Sequence, residues 1–422
     1  MTEKYDCVVI GGGPSGSTVS ALVAQAGFKT LLVERERVPR FHVGESLMPE
    51  TYWTLKRLGM LERMRGSHFP KKYSVQFVSH TGRESQPFYF FERDSHESSQ
   101  TWQVLRSEFD QMLFENAAQK GADCRDQTRV LDVMLDGDRA EGVRIKGPDG
   151  ATREVRAPLV VDATGQQALI ASKLGFRKSN ARLQHAAIWG YYRGARRDPG
   201  IDEGATLVLY THNKKGWFWY IPLPEDIVSV GVVAGNDYLL KGRGAPESVF
   251  EEELVKCPAV AERLMDAQLV SDFRVIRDYS YVSTRAAGEG WVLVGDAFGF
   301  LDPIYSSGVF FALKSGEMAA DAILEGFGSG DLSGPQLGKW AQQFADGMEW
   351  MRRLVYAFYT ETFSFGQFVR RCPQHKGSVT DLLVGKVFLP GIGKVFDDMA
   401  PMLEPRGEQV AFGVEMREKQ AG

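Results

Sequence analysis

Apolar runs and their breaks divide the chain into three kinds of segment. Tyr5–Ile10 is a short β-branched run, followed by Gly11-Gly12-Gly13-Pro14-Ser15-Gly16, a small and apolar stretch Ser17–Ala26, and a second run, Thr30–Val33. The pattern predicts strand, turn, helix and strand, with Gly27 as the helix C-cap and Glu34 closing the second strand 18 residues after Gly16. A helical stretch is expected around Met48–Met64, aromatic-rich strands across Tyr73–Leu105, and a helix around Ser107–Lys120. Arg129–Asp162 carries short strands broken by the hairpin signals Asp136-Gly137 and Asp149-Gly150, and ends in a buried strand, Leu159–Asp162. Four apolar pieces, His185–Tyr192, Thr206–Tyr210, Trp217–Pro222 and Ile227–Ala234, predict an antiparallel sheet. Trp291–Val294 is a further buried strand, leading to a helix from Ser307 to about Leu324. Beyond Gly334 the chain reads as helices, and the aromatic cluster from Trp350 to Phe368 is expected to close a pocket, because an exposed cluster of that size is a liability.

These elements imply an α/β architecture. A nucleotide-binding unit is assembled from 1–72, 101–180 and 275–333, an antiparallel-sheet substrate part from 73–100 and 181–274, and a helical region from 334–422. The length of 422 residues agrees, since one hydrophobic core rarely supports so many. A formal charge of −4 argues against nucleic acid as the partner. Cys7, Cys124, Cys257 and Cys372 lie far apart without metal-ligand spacing, so neither a disulfide framework nor a metal site is expected, and a reducing cytoplasm fits. No run approaches a membrane span, and the opening apolar stretch is too short for a signal peptide.

In the first βα turn, Gly11, Gly13, Ser15 and Gly16 let the backbone approach a pyrophosphate, whose charge meets free amides and the positive end of the next helix. Glu34 is placed to hydrogen-bond the ribose hydroxyls, which disfavours a 2′-phosphate. NAD and FAD both use this arrangement, so the turn alone does not choose between them. Val161-Asp162-Ala163-Thr164-Gly165 and Gly295-Asp296-Ala297 resemble the two further signatures of the FAD-dependent aromatic monooxygenase family. That resemblance covers roughly residues 5–325 and implies FAD, with Asp296 accepting from the ribityl chain and Arg106 contacting the flavin. It also puts Gly308 and Val309, opening the helix after Ser307, beside the ring, where a helix N-terminus stabilises negative charge.

Gly216-Trp217-Phe218-Trp219-Tyr220-Ile221-Pro222 is similar to the WxWxIP pattern of flavin-dependent halogenases. Trp217 and Trp219 are two apart on a strand and share a face, so their indoles can wall the substrate off from the flavin. Phe69-Pro70-Lys71-Lys72-Tyr73 resembles the segment carrying that family's active-site lysine, with Lys72 the better match and Lys71 its competitor. The resemblance implies that reduced FAD, oxygen and chloride or bromide yield hypohalous acid, which Lys72 holds or converts to a haloamine. A haloamine requires a neutral amine, and hence a buried lysine. In Asp302-Pro303-Ile304-Tyr305-Ser306-Ser307-Gly308-Val309 the amides of Ser307 and Gly308 are the implied halide site. Tyr305 stands where tryptophan halogenases carry a glutamate, so the resemblance points to phenols or pyrroles, free or tethered to an acyl-carrier protein. The basic groups Arg193, Arg196, Arg197 and Arg352, Arg353, Arg370, Arg371 are ordinary solvated surface on charge alone. His42, beside the cofactor loop, is read as a hydrogen-bonding spacer. A flavin reductase is the implied partner. The rivals are an aromatic hydroxylase reducing its own flavin and a reductase of isoprenoid double bonds.

Overall fold

The computed structural model describes residues 3–79, 81–277 and 279–403. Its first layer is a six-stranded sheet in the order Ala287–Gly288, Trp291–Leu293, Leu159–Asp162, Cys7–Ile10, Thr30–Val33, Asp123–Arg125. All pairings are parallel except the edge pair Ala287–Gly288 with Trp291–Leu293. Cys7–Ile10, Thr30–Val33 and Leu159–Asp162 are buried at every position, as parallel strands covered on both faces must be. The helix Pro14–Gln25 packs between Arg106–Gln119 and Ser307–Ser329. Its contact with the last is close: a Cβ on Gly316 would lie 2.7 Å from the Ser15 carbonyl oxygen. A four-stranded sheet, Glu3–Lys4, Thr152–Arg156, Arg139–Lys146 and Arg129–Asp136, packs on the strand Leu159–Asp162.

The second layer is an eight-stranded sheet built on His185–Arg193, Ile227–Gly235, Gly216–Pro222 and Thr206–Tyr210, all antiparallel in register. Beyond Thr206–Tyr210 the sheet continues in Ser74–Val78, paired parallel, and then Phe88–Tyr89. The strand Arg274–Arg277 pairs with His185–Arg193, so its residues belong to this sheet. Lys71–Lys72 forms a separate two-stranded ribbon with Thr101–Trp102.

Some boundaries differ from the hydrophobic pattern. The stretch 48–64 is two helices, Thr51–Leu58 and Leu61–Arg65, because Gly59 ends the first in the left-handed conformation at φ 75°. The Ser307 helix continues past Leu324 to Ser329, where Gly330 caps it. After Gly334 come helices Ala341–Phe358, Phe365–Arg371, Lys376–Val384 and Val395–Met399, while the part of 334–422 beyond 403 lies outside the described residues. Among the described residues no helix is long and apolar enough to cross a membrane. No group of three His, Cys, Asp or Glu among them is arranged to hold a metal ion.

Candidate active site

A cleft runs from the first βα turn to the eight-stranded sheet. At one end it is lined by Gly11, Gly13, Ser15 and Glu34, and at the other by Trp217 and Trp219. Gly11 sits at φ 108°, and a Cβ there would lie 2.3 Å from the Ala163 oxygen, so only glycine lets the two parallel strands end so close together. Gly16 lies behind the lining and serves this packing, its would-be Cβ 2.0 Å from the Gly11 oxygen. The helix Pro14–Gln25 opens without a side-chain cap or an acid in its first turn, which leaves its positive end to a ligand.

Glu34 is held at both oxygens, accepting from Gly12 N at 3.0 Å and from Glu36 N at 3.0 Å, with Arg40 Nε at 3.2 Å. Arg40 continues to Asp110 at 2.8 Å, and Asp110 accepts from Arg106 Nε at 2.8 Å. Arg106 in turn donates to the Val43 oxygen at 2.5 Å and to Gly44 O at 3.3 Å, fixing the 41–46 loop against the cleft. In that loop His42 Nδ1 bonds only the neighbouring Val43 oxygen, at 3.0 Å. Asp296 lines the middle of the cleft, and burial pushes its carboxyl up to about 7 against the pull of Arg106. The glycine cradle, the open helix end and a buried carboxyl able to accept hydroxyls suit a dinucleotide carrying a polyol chain.

The loop before the helix Ser307–Ser329 forms the inner wall. Pro303, Ile304, Ser306, Gly308 and Val309 line the cleft, whereas Ser307 is buried just behind it. Ser306 takes the left-handed conformation at φ 57°, and the helix starts without a side-chain cap. Trp217 and Trp219 face the same cleft with ring centres 6.3 Å apart. Trp219 Nε1 donates to Ser229 Oγ at 3.1 Å, and Trp217 Nε1 donates to the Tyr359 hydroxyl at 2.9 Å.

Lys72 is 4% exposed, while Lys71 points to solvent from the same ribbon. Its Nζ donates to Ser46 Oγ at 2.8 Å and to the Leu47 oxygen at 3.2 Å, and sits 5.7 Å from the centre of the Phe90 ring. Burial alone, with no carboxylate to offset it, pushes this amine down to about 7. Lys72 does not itself line the cleft. It is reached through Ser46, which does, and whose Oγ is 2.9 Å from Thr206 Oγ1. Ser46 ends the Phe41–Ser46 segment, which resembles a family loop near the flavin but gave this serine no role, and Thr206 carried no motif.

A second cavity lies between the eight-stranded sheet and the C-terminal helices, lined by Phe77, Tyr210, Tyr305, Phe358 and Phe365 among others. Phe358 contacts Trp217 edge-on at 6.1 Å and Tyr305 at 6.2 Å, so one layer of rings separates the two spaces. The Tyr305 hydroxyl donates to the Leu354 oxygen at 3.3 Å.

A family model described as "FAD binding domain" matches residues 4–316. A 1H-pyrrole-2-carbonyl-[peptidyl-carrier protein] brominase of Pseudoalteromonas luteoviolacea is 34% identical over 336 residues, 79% of this chain and 80% of the relative. The chain belongs to the flavin-dependent halogenases. A 1H-pyrrole-2-carbonyl-[peptidyl-carrier protein] chlorinase of Pseudomonas fluorescens is 30% identical to the halogenase over 421 residues, 95% of this chain and 93% of that one. The solved structure of the flavin-dependent brominase Bmp2 superposes with a TM-score of 0.85 at 30% identity, covering 94% of this chain and 98% of its own. The halogenase is therefore an FAD-dependent oxidoreductase whose co-substrate is a halide.

Its arginine groups are largely engaged within the fold. Arg196 pairs with Glu262, Arg197 donates to the Leu223 and Ile227 oxygens, and Arg352 and Arg353 both hold Glu349. Arg370 and Arg371 are exposed at the end of the helix Phe365–Arg371.

Proposed function

We propose that this halogenase adds chloride or bromide to an electron-rich aromatic ring, a pyrrole or a phenol, through Lys72. The observation that carries the reading is the burial of Lys72 without an acidic partner, one hydrogen bond behind the cleft wall. Gly11, Gly13, Ser15 and the open end of the helix Pro14–Gln25 would hold the pyrophosphate of FAD, Glu34 the ribose, and Asp296 the ribityl hydroxyls, with Arg106, Gly308 and Val309 near the ring. When bound and reduced, FAD would supply two electrons that bring oxygen to the peroxide level, the oxidant that converts halide to hypohalous acid.

The residues of the chain do the rest. The backbone at Ser307 and Gly308 holds the halide beside the cleft, and Trp217 and Trp219 keep the substrate from direct contact with the cofactor. Hypohalous acid passes Ser46 and Thr206 to the neutral Lys72 amine, which becomes a haloamine with release of water. The halogen then moves to the ring carbon, and the proton lost from that carbon restores the amine. With Tyr305 in place of a carboxylate, the ring must be nucleophilic enough to react unaided. The pyrrolyl-carrier relatives support a carrier-tethered pyrrole as substrate, and reduction of FAD is assigned to a separate flavin reductase in the cytoplasm. The test combines enzyme, FAD, a flavin reductase, NADH, oxygen and bromide with phenols and pyrrolyl-carrier proteins, and reads product mass. A gain of one or more bromines is expected. Hydroxylated product, or turnover with NADPH and no reductase, overturns the reading.

A further inference from the structure

The indole N–H of Trp217 finds its partner outside its own sheet. Its Nε1 donates to Tyr359, the residue that ends the helix Ala341–Phe358, at 2.9 Å. The Tyr359 hydroxyl donates onward to Asp302, 3.1 and 3.2 Å from its two oxygens. The Asp302 carboxylate is fully buried and also accepts from Ile304 N at 3.0 Å, which shapes the 303–305 turn of the cleft wall. The Tyr359 ring is stacked on His185 at 4.2 Å and 19°, with His185 Nδ1 3.5 Å from Asp302. Phe358, next in the chain, packs edge-on against the Trp217 indole at 6.1 Å and lines the second cavity.

We propose that Tyr359 is a positioning residue that sets the Trp217 indole and the 302–306 loop as one unit from the C-terminal helices. The inference rests on the reading of Trp217 as the screen between cofactor and substrate. A phenol ring clamped by stacking and by two hydrogen bonds has one orientation, so both groups it joins are fixed relative to each other. Without the hydroxyl, Trp217 Nε1 and Asp302 each lose a buried partner, and each must rotate or admit water. The oxidised halogen then escapes into solvent before it reaches Lys72.

The test uses Tyr359→Phe, which keeps the ring and its stacking. Halogenated product per oxygen consumed should fall about five- to thirty-fold, the order set by the two buried hydrogen bonds lost with the hydroxyl. Hypohalous acid trapped by an added thiol or activated-methylene scavenger should rise to match, with FAD content retained. Trp217→Phe removes one of those two hydrogen bonds and should move the partition in the same direction, and the double variant should fall well short of the product of the two single losses. A purely structural role would lower melting temperature without moving the partition between product and trapped oxidant. If Tyr359→Phe keeps the wild-type partition, or if the two losses multiply, this inference falls while the functional reading stands. A wild-type enzyme that forms no halogenated product on any ring overturns both.

Discussion

Lys72 shows how far one residue's surroundings decide its chemistry. It and Lys71 are identical in side chain, yet the ribbon points one into the protein and the other into water. Lys72→Ala should abolish halogenated product while oxygen uptake continues, and Lys71→Ala should be mild; loss of product with Lys71→Ala alone would shift the register by one. Lys72→Arg should fail as completely as alanine, since a guanidinium stays protonated. The amine's drop from 10.5 to about 7 also has a sign in stability. Between those values the unfolded chain binds the proton and the folded one does not, so stability relative to Lys72→Met rises with pH from about 7 to about 10.5 and is lost as pH falls through 7. Urea unfolding of both proteins at several pH values measures this, and a pH-independent difference would contradict it. Asp296 gives a second pH signature. Its carboxyl sits near 7 before FAD arrives, and ribityl hydroxyls favour the ionised form. FAD affinity should therefore rise with pH up to about 7 and level off above it. Asp296→Asn should flatten the profile, which isothermal titration would detect.

At the level of elements, the tryptophan pair depends on the strand beside it. Gly231 lies opposite Trp219 on one side and Trp189 on the other, and a Cβ there would come within 2.2 Å of the Trp219 ring. Gly231→Ala should displace that ring and destabilise the fold by about 1–3 kcal/mol, with FAD still bound and product reduced; unchanged melting and activity would show that the sheet absorbs the methyl freely. This dependence also shows what the sequence made legible. The strand–turn–helix–strand opening, the Leu159–Asp162 and Trp291–Leu293 strands and the Trp217/Trp219 face all follow from period and glycine placement, because each is a local pattern. The parallel pairing of Ser74–Val78 with Thr206–Tyr210 does not, since nothing local selects a neighbour more than 100 residues away. The same reason hid Thr206 and Tyr359, and hid the contact of Ser46 with Lys72 although the Phe41–Ser46 loop itself resembles one near the flavin. A serine in a loop, a threonine in an apolar strand and a tyrosine among helical aromatics become informative only when folding brings them to Lys72 and Trp217. The split of 48–64 at Gly59 was readable in principle from the glycine, but the surrounding helical period outweighed it.

For the molecule as a whole, the cleft joins the two layers, drawing Gly11 and Asp296 from one and Trp217 from the other. A ligand that touches both should stabilise both. FAD at about one hundred times its dissociation constant should add about 2.7 kcal/mol and slow amide exchange in Gly216–Pro222 as well as in Cys7–Ile10. Protection confined to the second strand would mean that the layers respond separately. The order of strands in the six-stranded sheet carries a different consequence, one of timing. Leu159–Asp162 sits between Cys7–Ile10 and Trp291–Leu293, and Asp296 and Gly308 follow only after the last of these. During synthesis the ribosome delivers the glycine turn first and its carboxylate and loop some 280 residues later. Until then the nascent chain has a half-built cradle with an open sheet edge at Leu159–Asp162. The cradle is complete only once Gly308 has emerged, so the interval of greatest exposure to misassembly is one in which the cofactor cannot yet help.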